Sequence, residues 1–295
     1  MPHLSIFALI TFLILTPCRA QDLLRPGDSQ ASPKQSAKQV FAPHGPLIFL
    51  DRFEGNLRQW MLDIDESQHN NALATGRSER VHMVLHAPEG TPSARLSLPD
   101  APGDFRTELS LPAEAGHQER GYAAHMLVPQ APDDKGFILM QWHALVGEEN
   151  KAQASQTGLR NFPNMAIHLQ NQQFVVARAW GPILTPLREH RKMAPLRPGS
   201  WTAWIIHTRW STGEDGLVQI WQDGTLVYQS LGANLYDKVA EVTPYFKVGI
   251  YRPTRKPKNG QDAPESPIDV YLGGIAIGDA TASLVKMQAA LPASP

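Results

Sequence analysis

The chain has 295 residues, 42% hydrophobic and 19% charged, which excludes wholesale disorder and leaves ample material for a core without covalent staples. Twenty-seven basic against 28 acidic side chains give a formal net charge of -1, so the overall balance gives no reason to expect a nucleic-acid partner; a local basic groove stays open. Twenty-five prolines and 22 glycines, with one cysteine, predict many turns and no disulfide framework.

The first element is an apolar run over 5–17, too short for a comfortable membrane span, followed by Cys18-Arg19-Ala20. This pattern predicts a signal peptide over 1–20, with cleavage before Gln21. Lipid attachment to Cys18 is the alternative, disfavoured by Pro17. The mature chain then contains no cysteine and no second long apolar stretch, which fits export to a bacterial periplasm or the medium without stable membrane insertion. A monomer is expected. Residues 21–46, rich in Pro, Ser, Gln and Lys, read as a polar linker, and order is expected to begin at Leu47.

From there, short alternating segments are separated by Gly, Pro, Asn and Asp. Strands are expected over 80–86, 104–111, 121–128, 136–144, 164–170, 173–179, 203–210, 216–222, 225–229, 244–251 and 269–277, with short helices over 54–62 and 234–241. So many strands without helical crossovers predict an all-β antiparallel sandwich, one domain over 47–282, followed by an Ala/Pro tail over 283–295. The stretches 145–163, 180–200 and 252–267 read as loops; the last two are locally basic and either connect strands in solvent or border a groove for an anionic polymer.

Three segments become informative when divided into their two faces. In 105–110, Phe105, Thr107 and Leu109 form the apolar face, opposite Arg106, Glu108 and Ser110. In 137–143, Ile138, Met140 and Trp142 are expected to fill the core, with Gln141 and His143 on the other face. In 245–251, Phe246, Val248 and Ile250 point inward, while Tyr245, Lys247 and Tyr251 face away around Gly249. Taken singly, each is an ordinary half-solvated strand. Together they offer amide and cationic donors for a sugar carboxylate, and His or Tyr for proton transfer.

Arg106-Thr107-Glu108-Leu109, Gln141-Trp142-His143 and Tyr245-Phe246-Lys247-Val248-Gly249-Ile250-Tyr251 resemble the three ordered signatures of β-jelly-roll polysaccharide lyases. The resemblance is nearest to the heparin lyase I-like superfamily, with glucuronan and alginate lyases related. It is supported by Trp221-Gln222-Asp223-Gly224 and by 271–278, and covers about 48–279. It implies a concanavalin-like antiparallel β-jelly-roll with a concave substrate groove, and β-elimination on a 4-linked uronate polymer. Gln141, His143, Lys247 and Tyr251 then match the catalytic pattern, with Arg106 in the arginine position. Glu108, Tyr245, Arg252, Arg255 and Arg188 are expected to contact the anionic polysaccharide, with Arg191, Lys192, Lys256 and Lys258 nearby. Trp142 stands where many alginate lyases carry Ile or Val, so the polymer is not fixed by this motif. A glucuronate polymer is preferred, with heparin-like and alginate substrates retained.

The chemistry implied requires no organic cofactor. Asp51, Glu54, Asp63, Asp65 and Asp279 offer oxygens for a structural calcium ion, an acidic surface being the plainer reading, and no metal is assigned. Trp204 and Trp210 share a face with Ile206 and read as core; His168 and His207 lie in strands without a clear partner. Two other functions stay in view. A noncatalytic carbohydrate-binding sandwich has no need of a His143 and Tyr251 proton-transfer pair. A glycoside hydrolase usually needs two separated carboxyl groups, of which these signatures supply only Glu108 clearly.

Overall fold

The computed structural model describes residues 47–65, 78–86, 90–101, 103–130, 136–145, 162–237, 242–255 and 267–292. All belong to one compact unit, residues 37–295; a second unit, residues 1–36, and with it the expected signal peptide, lies outside them. The strands in chain order are β1 (Leu47–Asp51), β2 (Met61–Ile64), β3 (Val81–His86), β4 (Thr91–Leu98), β5 (Arg106–Ser110), β6 (Glu114–Ala115), β7 (Glu119–Leu127), β8 (Phe137–His143) and β9 (Met165–Gln170). They continue with β10 (Gln173–Trp180), β11 (Leu187–Pro195), β12 (Trp201–Arg209), β13 (Leu217–Gln222), β14 (Thr225–Leu231), β15 (Val242–Thr243), β16 (Tyr245–Tyr251) and β17 (Ile268–Gly278), and one helix, α1 (Leu284–Ala290), follows.

Alternating apolar side chains turn these strands into two sheets with one buried face each. The larger has eight strands in the order β14-β13-β12-β7-β17-β4-β3, with β1 beside β17; the other has seven, β11-β10-β9-β8-β16-β5-β2. Every strand ladder is antiparallel. Leu96, Leu98, Tyr122, Ala124 and Met126 of the first sheet meet Met140, Trp142, Ile167, Phe174, Val176, Phe246, Val248 and Ile250 of the second. Aromatic rings cross the gap edge-on, Tyr122 against Trp142 at 5.3 Å and Trp204 against Phe174 at 4.9 Å. Burying each large apolar side chain contributes roughly 1.5–3 kcal/mol, so the two inner rows hold the layers together. The layout is the antiparallel jelly-roll sandwich expected.

Several elements depart from expectation. β4 carries Pro92 and two serines, which weaken its strand signal, yet Ala94, Leu96 and Leu98 keep period two and are fully buried. β11 lies where a loop was expected over 180–200. As an edge strand with most positions exposed it shows no apolar alternation to betray it. Residues 54–60 form turns leading into β2 rather than a helix, and 234–237 are not helical; 238–241 lie outside the described residues. The tail expected from 283 instead begins with α1, capped by Ser283 Oγ accepting from Lys286 N at 3.0 Å. Its Met287 and Ala290 pack with Ala123, Ile205, Trp221 and Ala276 on the outer face of the larger sheet. Gly278 permits this approach: a Cβ there would stand 2.3 Å from the Ala282 Cβ.

Candidate active site

The three signature segments become neighbouring strands of the smaller sheet, in the order β8-β16-β5. Tyr251 pairs with Arg106, Gly249 with Glu108, and Lys247 with Ser110 on one side and Gln141 on the other; Tyr245 pairs with His143. Phe246, Val248 and Ile250 lie in the core, so these polar partners share the outward face. Next to β5, Asp63 of β2 pairs with Glu108 and joins the same row.

Two expected core residues lie elsewhere. A register shift between Ile138 and Met140 accommodates Leu139 as an extra residue, so Leu139 and Met140 are both buried in the core and Ile138 turns outward. There Ile138 packs with Phe105, Ala166 and Tyr251. Phe105 also leaves the predicted inner row, because β5 begins only at Arg106. Asp65 holds this entry by accepting from Phe105 N at 2.9 Å and Arg106 N at 3.2 Å, while Arg80 pairs with both Asp65 and Asp104. The result is an apolar seat for the Tyr251 ring, 6.1 Å from Phe105.

Contacts then run along the row. The Arg106 guanidinium lies over the Tyr251 ring at 4.4 Å and pairs with Glu108 at 3.2 Å. The other Glu108 oxygen accepts from Gln141 Nε2 at 2.5 Å. Lys247 Nζ stands 2.6 Å from Asp63 and 5.3 Å from the Tyr245 ring, and Tyr245 stacks on His143 at 5.6 Å and 19°. His143 is half-buried at one end of the row and Tyr251 is at the other.

Between them Gly249 presents no side chain. At φ 145° a side chain is strained, and an added Cβ would lie 2.4 Å from Thr107 O and 2.8 Å from Glu108 Cα. Only glycine lets β16 pass this close to β5 and to Leu96 of the core, whose Cδ2 would stand 2.8 Å from the same Cβ; along the row Arg106 and Tyr251 lie on one side of it and Lys247 and Gln141 on the other.

Burial sets the proton affinities. It pushes the Glu108 carboxyl up, with Arg106 and Lys247 offsetting this only in part. It also raises the Tyr251 phenol, against the pull of the Arg106 cation, so the resting hydroxyl keeps its proton at neutral pH. For Lys247, burial alone would lower the pKa, but Glu108, Tyr245 and Asp63 outweigh it and keep the ammonium charged.

The expected contact residues separate accordingly. Glu108 is wholly buried beneath Arg106 and Gln141, so in this conformation it orients those two groups and does not reach a ligand. Arg252, expected as an exposed capture cation, is among the most buried large side chains because its backbone N bonds Phe105 O at 2.8 Å and draws it inward after β16. The Arg255 side chain, Lys256 and Lys258 lie outside the described residues. Arg188 is exposed on β11, three strands from β8. Asp63, read only as a candidate metal ligand, is instead the partner of Lys247. The available signal was its place opposite the apolar residues of a short alternating run, a run masked by the helix expectation. Asp51 accepts from Phe53 N and Trp60 Nε1, both at 2.7 Å, and Asp279 accepts from Thr281 N and Oγ1. Among the described residues no three His, Cys, Asp or Glu side chains cluster to hold a metal ion.

Comparisons with known proteins bear on the fold and the family. A family model described as Polysaccharide lyase matches residues 54–268, which include all three signature strands. No curated protein matches the chain. Among solved structures, the endo-beta-1,4-glucuronan lyase from the fungus Trichoderma reesei superposes with TM-score 0.62 at 18% identity, covering 80% of this chain and 97% of that one. The alginate lyase A1-II', a member of polysaccharide lyase family-7, superposes with TM-score 0.52 at 14% identity, covering 76% and 96%. These likenesses establish the shared fold; with the family match spanning most of the domain, the chain belongs to the polysaccharide lyase family and is an enzyme acting on polysaccharides.

Proposed function

We propose that the enzyme cleaves a 4-linked uronate polymer by β-elimination, with a glucuronate polymer as the preferred substrate. The observation that carries this reading is the row on one sheet face in which Arg106, Gln141 and Lys247 stand together between His143 and Tyr251. A uronate ring seated over Gly249 meets the Arg106 guanidinium and the second N–H of Gln141, whose first is held by Glu108. Donors on the carboxylate stabilise the negative charge that develops as the C5 proton leaves, and their fixed orientation avoids reorganisation during the step. Charged Lys247, anchored by Asp63, adds to the same field.

Tyr251 protonates the departing O4, the role its retained hydroxyl proton suits. The sugar decides the base. Glucuronate and mannuronate present H5 and O4 on the same side, so Tyr251 serves both transfers from its ionised form, the phenolate taking H5 and returning that proton to O4; iduronate and guluronate present them on opposite sides, so His143 takes H5 and the resting phenol of Tyr251 protonates O4. The contact between Arg106 and the Tyr251 ring favours the first arrangement, because it sets the phenol beside the group that binds the carboxylate on C5. The Trichoderma neighbour, named for glucuronan, is in keeping with it.

The test is a panel of glucuronate, mannuronate, guluronate and iduronate polymers, followed by ultraviolet absorbance of the unsaturated product and by mass spectrometry. Fragments without added water, lost in Tyr251→Phe and reduced in His143→Ala, are expected. Saturated fragments that have gained water would replace elimination by hydrolysis. The apolar 5–17 run further supports export, with a mature chain starting at Gln21; intact mass of the protein from its native host checks that start.

A further inference from the structure

His143 is the last residue of β8, and one buried side chain holds the backbone on both sides of it. The ladder between β8 and β9 ends at the pair Trp142 and Met165, and Asn164 stands one position before β9, 1% exposed. Its backbone N donates to Trp142 O at 2.9 Å, and its side-chain Oδ1 accepts from Ala144 N at 3.2 Å. Both peptide groups that flank His143 are therefore bonded to Asn164. On its other side Asn164 is anchored to β10, where Nδ2 donates to Ala179 O at 3.1 Å and the backbone O accepts from Ala179 N at 3.0 Å. Ala179 is itself fixed in a small apolar cluster with Ile183 and Tyr236.

That hold extends to the imidazole. Ala144 O stands 3.5 Å from His143 Nδ1, and a carbonyl oxygen can only accept, so the contact favours the neutral ring with its proton on Nδ1 and its lone pair on Nε2. Tyr245 of β16 stacks on the ring at 5.6 Å and 19°, which restricts its rotation from that face. Asn164 thus fixes the backbone, Tyr245 the ring plane, and the Ala144 carbonyl the tautomer. A primary amide suits this place because the side chain must accept from one strand and donate to another. A charged aspartate cannot donate to Ala179 O, and a leucine of similar size can do neither.

We infer that Asn164 is a positioning residue for the reaction: by bracketing His143 it sets where the imidazole stands and keeps the lone pair on Nε2. This rests on the reading of His143 as a group of the active site. Asn164 acts entirely through that ring, so its contribution exists only while His143 is present. Small displacements of a reacting group are costly, which makes a buried amide behind the ring as consequential as a contact in front of it. The sequence around Asn164 carries no sign of this role, since its partners lie on two strands that meet it only in the folded sheet.

Two measurements on the intact enzyme test this. Imidazole nitrogen NMR spectra, with the His143 signals assigned by their loss in His143→Ala, should show the Nδ1–H form in wild type and a mixture of tautomers in Asn164→Ala. In a double-mutant cycle on the polymer that the enzyme cleaves, Asn164→Ala should lower kcat per folded molecule about tenfold, and Asn164→Ala/His143→Ala should be no slower than His143→Ala alone. Asn164→Ser, too short to reach both partners, gives the same readouts should the alanine variant not fold. Met287→Ala, which loosens the outer face of the other sheet, should match wild type in both. A wild type in the Nε2–H form, tautomers unchanged in the folded variants, or losses that multiply in the double variant overturns the positioning role while leaving the eliminative chemistry standing. A His143→Ala enzyme as fast as wild type would instead remove His143 from the active site, and the role of Asn164 with it.

Discussion

The two outer faces of the sandwich solve opposite problems with the same strand alternation. On the larger sheet, Ala123, Ile205, Trp221 and Ala276 point outward and α1 covers them with Met287 and Ala290, giving a small dry cluster. On the smaller sheet, the outward positions of β2, β5, β8 and β16 are Asp63, Arg106, Glu108, Gln141, His143, Lys247 and Tyr251, and several of these are as buried as core residues. One face contributes stability by excluding water. The other tolerates buried charge, which is justified only where every charge has a partner and the arrangement performs chemistry. Removing side chains from the first face should therefore cost stability, and from the second, activity.

The sharpest test of that division is Tyr251→Phe. It removes one hydroxyl and leaves the ring in its seat of Phe105 and Ile138, so kcat should fall by about 10²–10⁴-fold with the urea midpoint nearly unchanged. A large loss of stability would mean that the two faces are not separable. Next, Asp63→Asn leaves Lys247 buried without its closest counter-charge. A loss of about 3 kcal/mol is expected, the low end of the range for a broken buried pair because Glu108 still opposes the ammonium. Joint Asp63→Leu/Lys247→Met replacement should recover stability in denaturant titration and leave activity depressed. Met287→Ala is the mirror experiment: a cavity under α1 should cost about 2–3 kcal/mol while kcat per folded molecule holds.

The smallest effect sharpens the chemistry within the charged face. Because the Tyr251 pKa is raised above 10.0, the neutral phenol dominates at rest and the phenolate fraction grows about tenfold per pH unit below that value. With a glucuronate polymer, where Tyr251 must take H5, kcat should climb from about pH 7 to about pH 9. A flat or falling limb with the same polymer hands proton abstraction to His143. The raised Glu108 pKa acts at the acid end. There the folded state takes up its proton above the ordinary carboxylate range, weakening the hold on Arg106 and Gln141, so activity should decline earlier on acidification than an ordinary glutamate predicts.

Local pattern by itself determined much of this protein. Period-two alternation in 105–110, 137–143 and 245–251 separated Arg106, Glu108, Gln141, His143, Lys247 and Tyr251 from the residues behind them, because successive strand side chains take opposite faces whatever their neighbours. Alternation carries no information about which strands pair. That β8, β16 and β5 stand side by side, and that Asp63 arrives beside Lys247 from just beyond the segment read as helical, depends on register between distant parts of the chain. The extra residue at Leu139 reverses the face of Ile138 because a bulge breaks period two at one point, which no count along the sequence reveals. β11 escaped for the complementary reason: an edge strand exposed on most positions needs no apolar row, so the backbone ladder with β10 made it a strand. The sequence named the reactive groups; burial, which only the assembled sheets supply, decided that Glu108 and Arg252 are shielded from solvent and that the Tyr251 hydroxyl keeps its proton.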